Sequence, residues 1–235
     1  MRTLLGVAHG TRSAAGQAQL RELMDRVAYR RTDLDVRLAY VDVQQPRVAA
    51  ALRPGAVLVP LLLSTGYHVR VDIAQAVAGT DVQVTAPLGP DFRLTEVLAE
   101  RIPATSDAVV LAAAGSSEPR WQAEVAAVAH SLNAQVAYAS GSGPRVADVV
   151  AGLRRAGAAH VTVATYLLAD GLFYRSLHRA GADVVTEPLV TAPVVTDLVL
   201  TRFLTMGDGP LTEEMNGRVM AGRRVGNSRP QASAV

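Results

Sequence analysis

The sequence contains no cysteine, which excludes disulfides, thiolate metal sites and cysteine nucleophiles. Aromatic residues are also scarce, at 4% of the 235 residues, whereas 49% are hydrophobic, which is enough for a sizeable aliphatic core. No apolar run approaches the roughly 20 residues of a transmembrane helix. The 23 Lys+Arg and 21 Asp+Glu residues leave a net charge of +2, too balanced to indicate nucleic-acid binding.

Motifs for nucleotides and for export are missing as well. The chain has neither a GxGxxG fingerprint nor a P-loop, so we expect no nucleotide cofactor. The N-terminal apolar segment, residues 4–8, is short and is followed by His9 and Arg12 without a small-residue cleavage pattern. We therefore predict that it is the first strand of a cytoplasmic protein that associates with neither membranes nor nucleic acid.

Short apolar runs alternate with helical segments along the chain, a pattern that predicts βαβ units and parallel sheets. Residues 57–63 form a continuous apolar run, typical of a strand buried on both faces. Ser13 is placed to cap the first helix, and Pro46 to lie in the first turn of a short helix. The alternation restarts after a linker-like segment at 103–107.

The two halves align with each other, which indicates an internal duplication. Residues 5–10 match 110–115 at an offset of 105, the offset falls to 98 around Pro46, and it then returns to 105. This places a seven-residue deletion in the first half, where a helix is shortened by about two turns. We predict an α/β fold of two similar lobes, each a four-stranded parallel sheet flanked by helices. The predicted segments are a lobe at 1–103 with the active site, a degenerate lobe at 104–206 and a partly disordered tail at 207–235.

Three polar residues distinguish the first half from its duplicate. Each follows a predicted strand, and the pairs are His9 with Ala114, Asp42 with Ser140, and His68 with Phe173. A packing role would have been kept in both copies, so the comparison favours a functional role for the polar members. The ends of parallel strands meet at one edge, where two imidazoles and a carboxylate suit a divalent metal such as Fe²⁺ or Co²⁺.

The same edge is expected to carry arginines, whose guanidinium groups suit a polycarboxylate or phosphate ligand. For any single one of them, a solvated position at a helix start is favoured over a binding role. Hydroxyl groups on neighbouring residues could add hydrogen bonds. The predicted substrate-binding residues are Arg12, Arg47, Ser64, Thr65, Tyr67, Arg70, Ser116 and Arg145.

Three segments together resemble the fused two-lobe form of the sirohydrochlorin chelatase family, whose members are class II tetrapyrrole chelatases. They are HGTR after the first strand, YVDVQQP, and PLLLSTGYHVRVDI after the third strand. The resemblance covers roughly residues 3–204. It implies a chelatase-like fold with a tetrapyrrole cleft between the lobes, and ATP-independent insertion of Fe²⁺ or Co²⁺ in sirohaem or cobalamin biosynthesis.

The resemblance also implies roles for individual residues. His9 and His68 match the two family histidines, which are catalytic and bind the metal, and Asp42 stands where many members carry glutamate. The second lobe lacks these residues and is expected to shape the cleft, so that a monomer suffices. Two other functions stay open at this point: a non-catalytic carrier of tetrapyrrole or metal, and a metal-dependent hydrolase that uses the same His/Asp cluster.

Overall fold

The structure is a computed structural model that describes residues 1–64, 66 and 68–206, with the side chains of residues 68–70 left out. The predicted tail at 207–235 therefore lies outside the described residues. The described part of the chain folds into two four-stranded parallel sheets, one from each half, which confirms the predicted fold class. None of its helices is long and apolar enough to cross a membrane.

The first sheet has the strand order β2-β1-β3-β4, so that β1 lies in its interior. A π-helix at His68–Ile73 runs directly into α3. The elements of this half are β1 (Arg2–Ala8), α1 (Ala14–Arg30), β2 (Leu34–Tyr40), α2 (Val48–Ala51), β3 (Val57–Pro60), α3 (Ala74–Val77), β4 (Gln83–Val84) and α4 (Phe92–Arg101).

The second sheet repeats this topology, with the strand order β6-β5-β7-β8. A 3-10 helix at Leu189–Thr191 precedes the last helix. The elements are β5 (Ala108–Ala113), α5 (Pro119–Ser131), β6 (Gln135–Tyr138), α6 (Val146–Arg155), β7 (Val161–Tyr166), α7 (Leu172–Leu177), β8 (Val184–Val185) and α8 (Pro193–Thr205).

Hydrogen bonds at equivalent positions confirm the duplication. The amide of Val41 donates to Ala8 and that of Ala139 donates to Ala113, both at 2.9 Å. Helix α2 has four residues where its counterpart α6 has ten, which is the predicted shortening. The prediction for Pro46 was wrong: α2 begins at Val48, and the Pro46 carbonyl instead accepts a hydrogen bond from the amide of Tyr40, 3.0 Å away.

The last helix of each half packs against the other half, so the two repeats share one interior. Helix α8 contacts α1 and β3, whereas α4 contacts β7. Arg202 of α8 donates to the carbonyl of Pro87 at 2.8 Å, and Arg101 of α4 donates to the carbonyl of Pro188 at 3.1 Å. One apolar cluster accordingly contains buried side chains of both halves, among them Leu23 and Phe203. This shared core holds the carboxyl edges of the two sheets side by side.

Candidate active site

The first part of the candidate site is a turn between the ends of β1 and β2. The amide of Asp42 donates to the carbonyl of His9 at 2.9 Å, so these two residues lie next to each other as predicted. Gly10 has a φ of 103°, and a Cβ on it would lie 2.2 Å from the Asp42 carbonyl oxygen. Only glycine fits this approach. In the second half, Gly115 has a φ of 105° and the same 2.2 Å approach to the carbonyl of Ser140.

The Asp42 carboxylate is 61% exposed and is bound by Arg47 at 2.8 Å. This hydrogen bond is the largest of several effects that lower the pKa of Asp42, and the nearby charge of His9 contributes to them. The carboxylate is therefore ionised at neutral pH, in the form that binds a metal ion. Arg47 also donates to the carbonyl of Val41 at 2.7 Å, and so braces the turn.

Val43, directly after Asp42, has an unusual backbone conformation. Its φ is 68°, and the amide of Gln44 donates to the Asp42 carbonyl across it at 2.7 Å. A β-branched residue in this region is strained, at a cost of about 1–3 kcal/mol. The equivalent residue of the second half is Gly141, with a φ of 83°. Val43 is not among the residues predicted from the sequence, although its alignment with a glycine in the second half is a signal that points to it.

The second half holds the segment that follows His9. Ser13 Oγ donates a hydrogen bond to the Asp170 carboxylate, and Thr11 Oγ1 donates to the Asp170 carbonyl at 3.3 Å. Arg175 donates to the same carboxylate at 3.1 Å. Gly16 permits this contact, since a Cβ there would lie 2.0 Å from the Asp170 carbonyl oxygen. No local sequence signal predicts contacts between residues so far apart.

The second half also holds the segment that leads toward His68. Buried Tyr166 donates its hydroxyl to the carbonyl of Leu63 at 2.7 Å, and burial raises the pKa of this tyrosine. Ser64, the next residue, is buried. Trp121 packs beside Gly66, where a Cβ would lie 3.2 Å from Trp121 Cδ1.

The remaining predicted substrate-binding residues differ in their surroundings. Arg12 is exposed and makes no hydrogen bond or ion pair with the described residues. Arg145 donates to the Ala139 carbonyl at 3.0 Å, the same loop-bracing contact that Arg47 makes. Ser116 Oγ accepts from the amide of Glu118 at 3.2 Å at the start of α5. Thr65, Tyr67 and the side chain of Arg70 lie outside the described residues.

The predicted metal site is only partly covered by the described side chains. These contain no group of three His, Asp or Glu residues that could hold a metal ion. Because the side chain of His68 is outside them, a triad of His9, Asp42 and His68 stays a prediction. Exposed His9 and ionised Asp42 already bring one imidazole and one carboxylate to the same corner, which suits a first-row divalent metal.

Comparison with known proteins gives consistent results. Residues 3–105 and 108–205 each match the family model of CbiX. A sirohydrochlorin ferrochelatase of Bacillus subtilis is 22% identical over 202 residues, covering 75% of this chain and 77% of that protein. A sirohydrochlorin cobaltochelatase of Sulfurisphaera tokodaii is 28% identical over 93 residues, covering 35% of this chain and 70% of that protein.

A solved structure of SirB from Bacillus subtilis with Fe³⁺ superposes with a TM-score of 0.69 at 20% identity. The match covers 86% of this chain and 94% of SirB. At this identity the structural similarity establishes the fold. The two matches to the family model cover most of the chain and fall on its two repeats, one on each sheet.

Proposed function

We propose that this chain, which belongs to the CbiX family, inserts Fe²⁺ or Co²⁺ into sirohydrochlorin without ATP. The observation that carries the proposal is the corner at the carboxyl end of the first sheet, where His9 adjoins ionised Asp42. The equivalent corner of the second half has Ala114 and Ser140. The names of the two curated relatives support the substrate, and they differ in the metal, iron in one and cobalt in the other.

The chemistry of insertion requires a proton acceptor, because a divalent metal replaces two pyrrole N–H protons. A neutral imidazole accepts protons near pH 7. We assign this role to His9 and His68, which also hold the incoming metal ion. Asp42 supplies a negative charge that favours the cation, and Arg47 fixes the orientation of its carboxylate.

The substrate carries carboxylates around its rim, and guanidinium groups bind such anions. Arg12 is available as a partner, since it is exposed in the segment of residues 9–12 that follows β1, which we call the His9 turn. Arg47 and Arg145 each use an N–H on a loop carbonyl and retain others for a ligand. The predicted contributions of Ser64, Thr65, Tyr67, Arg70 and Ser116 belong to the same proposal.

The proposal assigns the chemistry to the lobe at 1–103 and the shaping of the cleft to the lobe at 104–206. Contacts of Asp170 and Tyr166 with the two site segments support this division. Since both lobes are in one chain, we expect a monomer to be sufficient. We further place the protein in the cytoplasm, in sirohaem or cobalamin biosynthesis, acting without a nucleotide cofactor.

Anaerobic mixing of the protein with sirohydrochlorin and either Fe²⁺ or Co²⁺ tests this function. The absorbance of the metallated product is expected to appear with multiple turnovers, at a rate well above that of the uncatalysed reaction. Binding of sirohydrochlorin without faster metallation would identify a carrier and contradict the proposal. Running both metals in parallel also determines which of them is preferred.

A further inference from the structure

Exposed apolar side chains lie close to the His9 turn at two places. Val43 is 40% exposed, and its Cβ lies 3.4 Å from the position that a Cβ on Gly10 would occupy. At the second place, a Cβ on Gly171 would lie 3.1 Å from Thr11 Oγ1. Gly171 is followed directly by Leu172, which is 77% exposed, and Phe173, which is 38% exposed.

The duplication indicates that the fold does not require Val43 or Phe173. The turn occupied by Val43 contains Gly141 in the second half, at a similar positive φ. Glycine adopts this conformation without strain, whereas valine is strained in it. Phe173 stands at the position equivalent to His68, so the second half presents an aromatic ring where the first half has a histidine. Exposure of either apolar side chain to water is unfavourable, so a ligand that covers them gains free energy from their burial.

We propose that Val43, Leu172 and Phe173 form an apolar seat for the face of the tetrapyrrole ring beside His9. A tetrapyrrole has flat apolar faces and an acidic rim. These three side chains match the faces, and Arg12 on the same turn matches the rim. This inference rests on the proposed function and extends it by naming the surface that holds the macrocycle against the metal corner.

The strain at Val43 allows a test in which stability and binding change in opposite directions. In Val43→Gly the backbone strain that is removed exceeds the extra backbone entropy that glycine loses on folding, so the melting temperature is expected to rise by about 2–6 °C. The same change removes apolar contact with the macrocycle. The Kd for metal-free sirohydrochlorin is therefore expected to increase about 3- to 10-fold. Leu172→Ala, which leaves the turn untouched, is expected to weaken binding by a similar factor.

Two control variants separate the seat from general effects. Gly141→Val places the strained valine in the second half, and is expected to lower the melting temperature without changing the Kd. Tyr29→Ala removes an exposed ring near the far end of α1, about 22 Å from its start, and is expected to leave the Kd unchanged. Binding is measured by absorbance titration without metal, and stability by thermal unfolding without ligand.

The outcomes distinguish this inference from the proposed function. If wild-type protein binds and metallates sirohydrochlorin, but Val43→Gly and Leu172→Ala bind it as tightly as wild type, the seat is refuted and the function stands. A fall in the melting temperature of Val43→Gly would refute the argument from strain. Absence of binding by the wild type would overturn both.

Discussion

Replacing His9 or His68 with alanine is expected to lower the rate of metal insertion by about 10²- to 10⁴-fold, the range for loss of a positioned proton acceptor. Each variant loses one of the two imidazoles to which we assign the acceptance of pyrrole protons and the holding of the metal ion. In the same proposal other residues bind the rim and faces of the macrocycle, so the Kd for sirohydrochlorin is expected to stay within about threefold of wild type. Single-turnover absorbance under anaerobic conditions measures the first quantity, and titration without metal measures the second.

His130→Ala is the matched control for these variants. His130 is an exposed histidine in the last turn of α5, in the half without the polar corner. This variant is expected to insert metal at the wild-type rate. Wild-type rates in both His9→Ala and His68→Ala would refute the assignment of these histidines to catalysis.

Gly10→Ala is expected to abolish most metal insertion while the protein remains folded. Its Cβ would lie 2.2 Å from the Asp42 carbonyl oxygen, so the turn must open and separate Asp42 from His9. The positive φ of Gly10 adds a cost of about 1–2 kcal/mol for alanine. We expect a fall in melting temperature of about 2–4 °C per kcal/mol, and a loss of activity far larger than this destabilisation explains.

The duplication provides a matched control, because Gly115→Ala creates the same clash with Ser140 in the second half. This variant is expected to be destabilised to a similar extent and to keep its insertion rate within about threefold of wild type. Gly55→Ala, at a φ of 66° with open space around it, measures the cost of the positive φ alone. Equal losses of activity in Gly10→Ala and Gly115→Ala would contradict the assignment of metal insertion to the corner formed by His9 and Asp42 in the first half.

The sequence predicted the parts of the fold that depend on local patterns. The apolar segment at 4–8 lies within β1, and Ser13 caps α1 as predicted, since its side chain accepts a hydrogen bond from the amide of Gly16. The third strand was predicted to reach residue 63 and ends at Pro60. Leu61 still donates to the Val7 carbonyl of β1 at 2.7 Å, but two residues further on the Leu63 carbonyl accepts the hydroxyl of Tyr166, which is 103 residues away in sequence. Pairings of this kind carry no local signal.

For the candidate site, comparison of the repeats was more informative than any single motif. It identified His9 and Asp42, which the structure places next to each other. It did not identify the contact of Asp170 with Ser13, which joins the two halves. An alignment of the repeats pairs equivalent positions and carries no information about which residues of one half contact the other. The comparison also did not show that Arg47 and Arg145 share a loop-bracing hydrogen bond, since this depends on the path of the backbone.

The most direct test of the account is the location of a bound metal ion in a crystal soaked anaerobically with Co²⁺. An anomalous difference map is expected to show one strong site in the first half, with imidazole nitrogens of both His9 and His68 about 2.1 Å from the ion, as in zinc sites. The corner formed by Ala114 and Ser140 is expected to show none. A metal ion bound elsewhere, or two histidines too far apart to share one ion, would contradict the account.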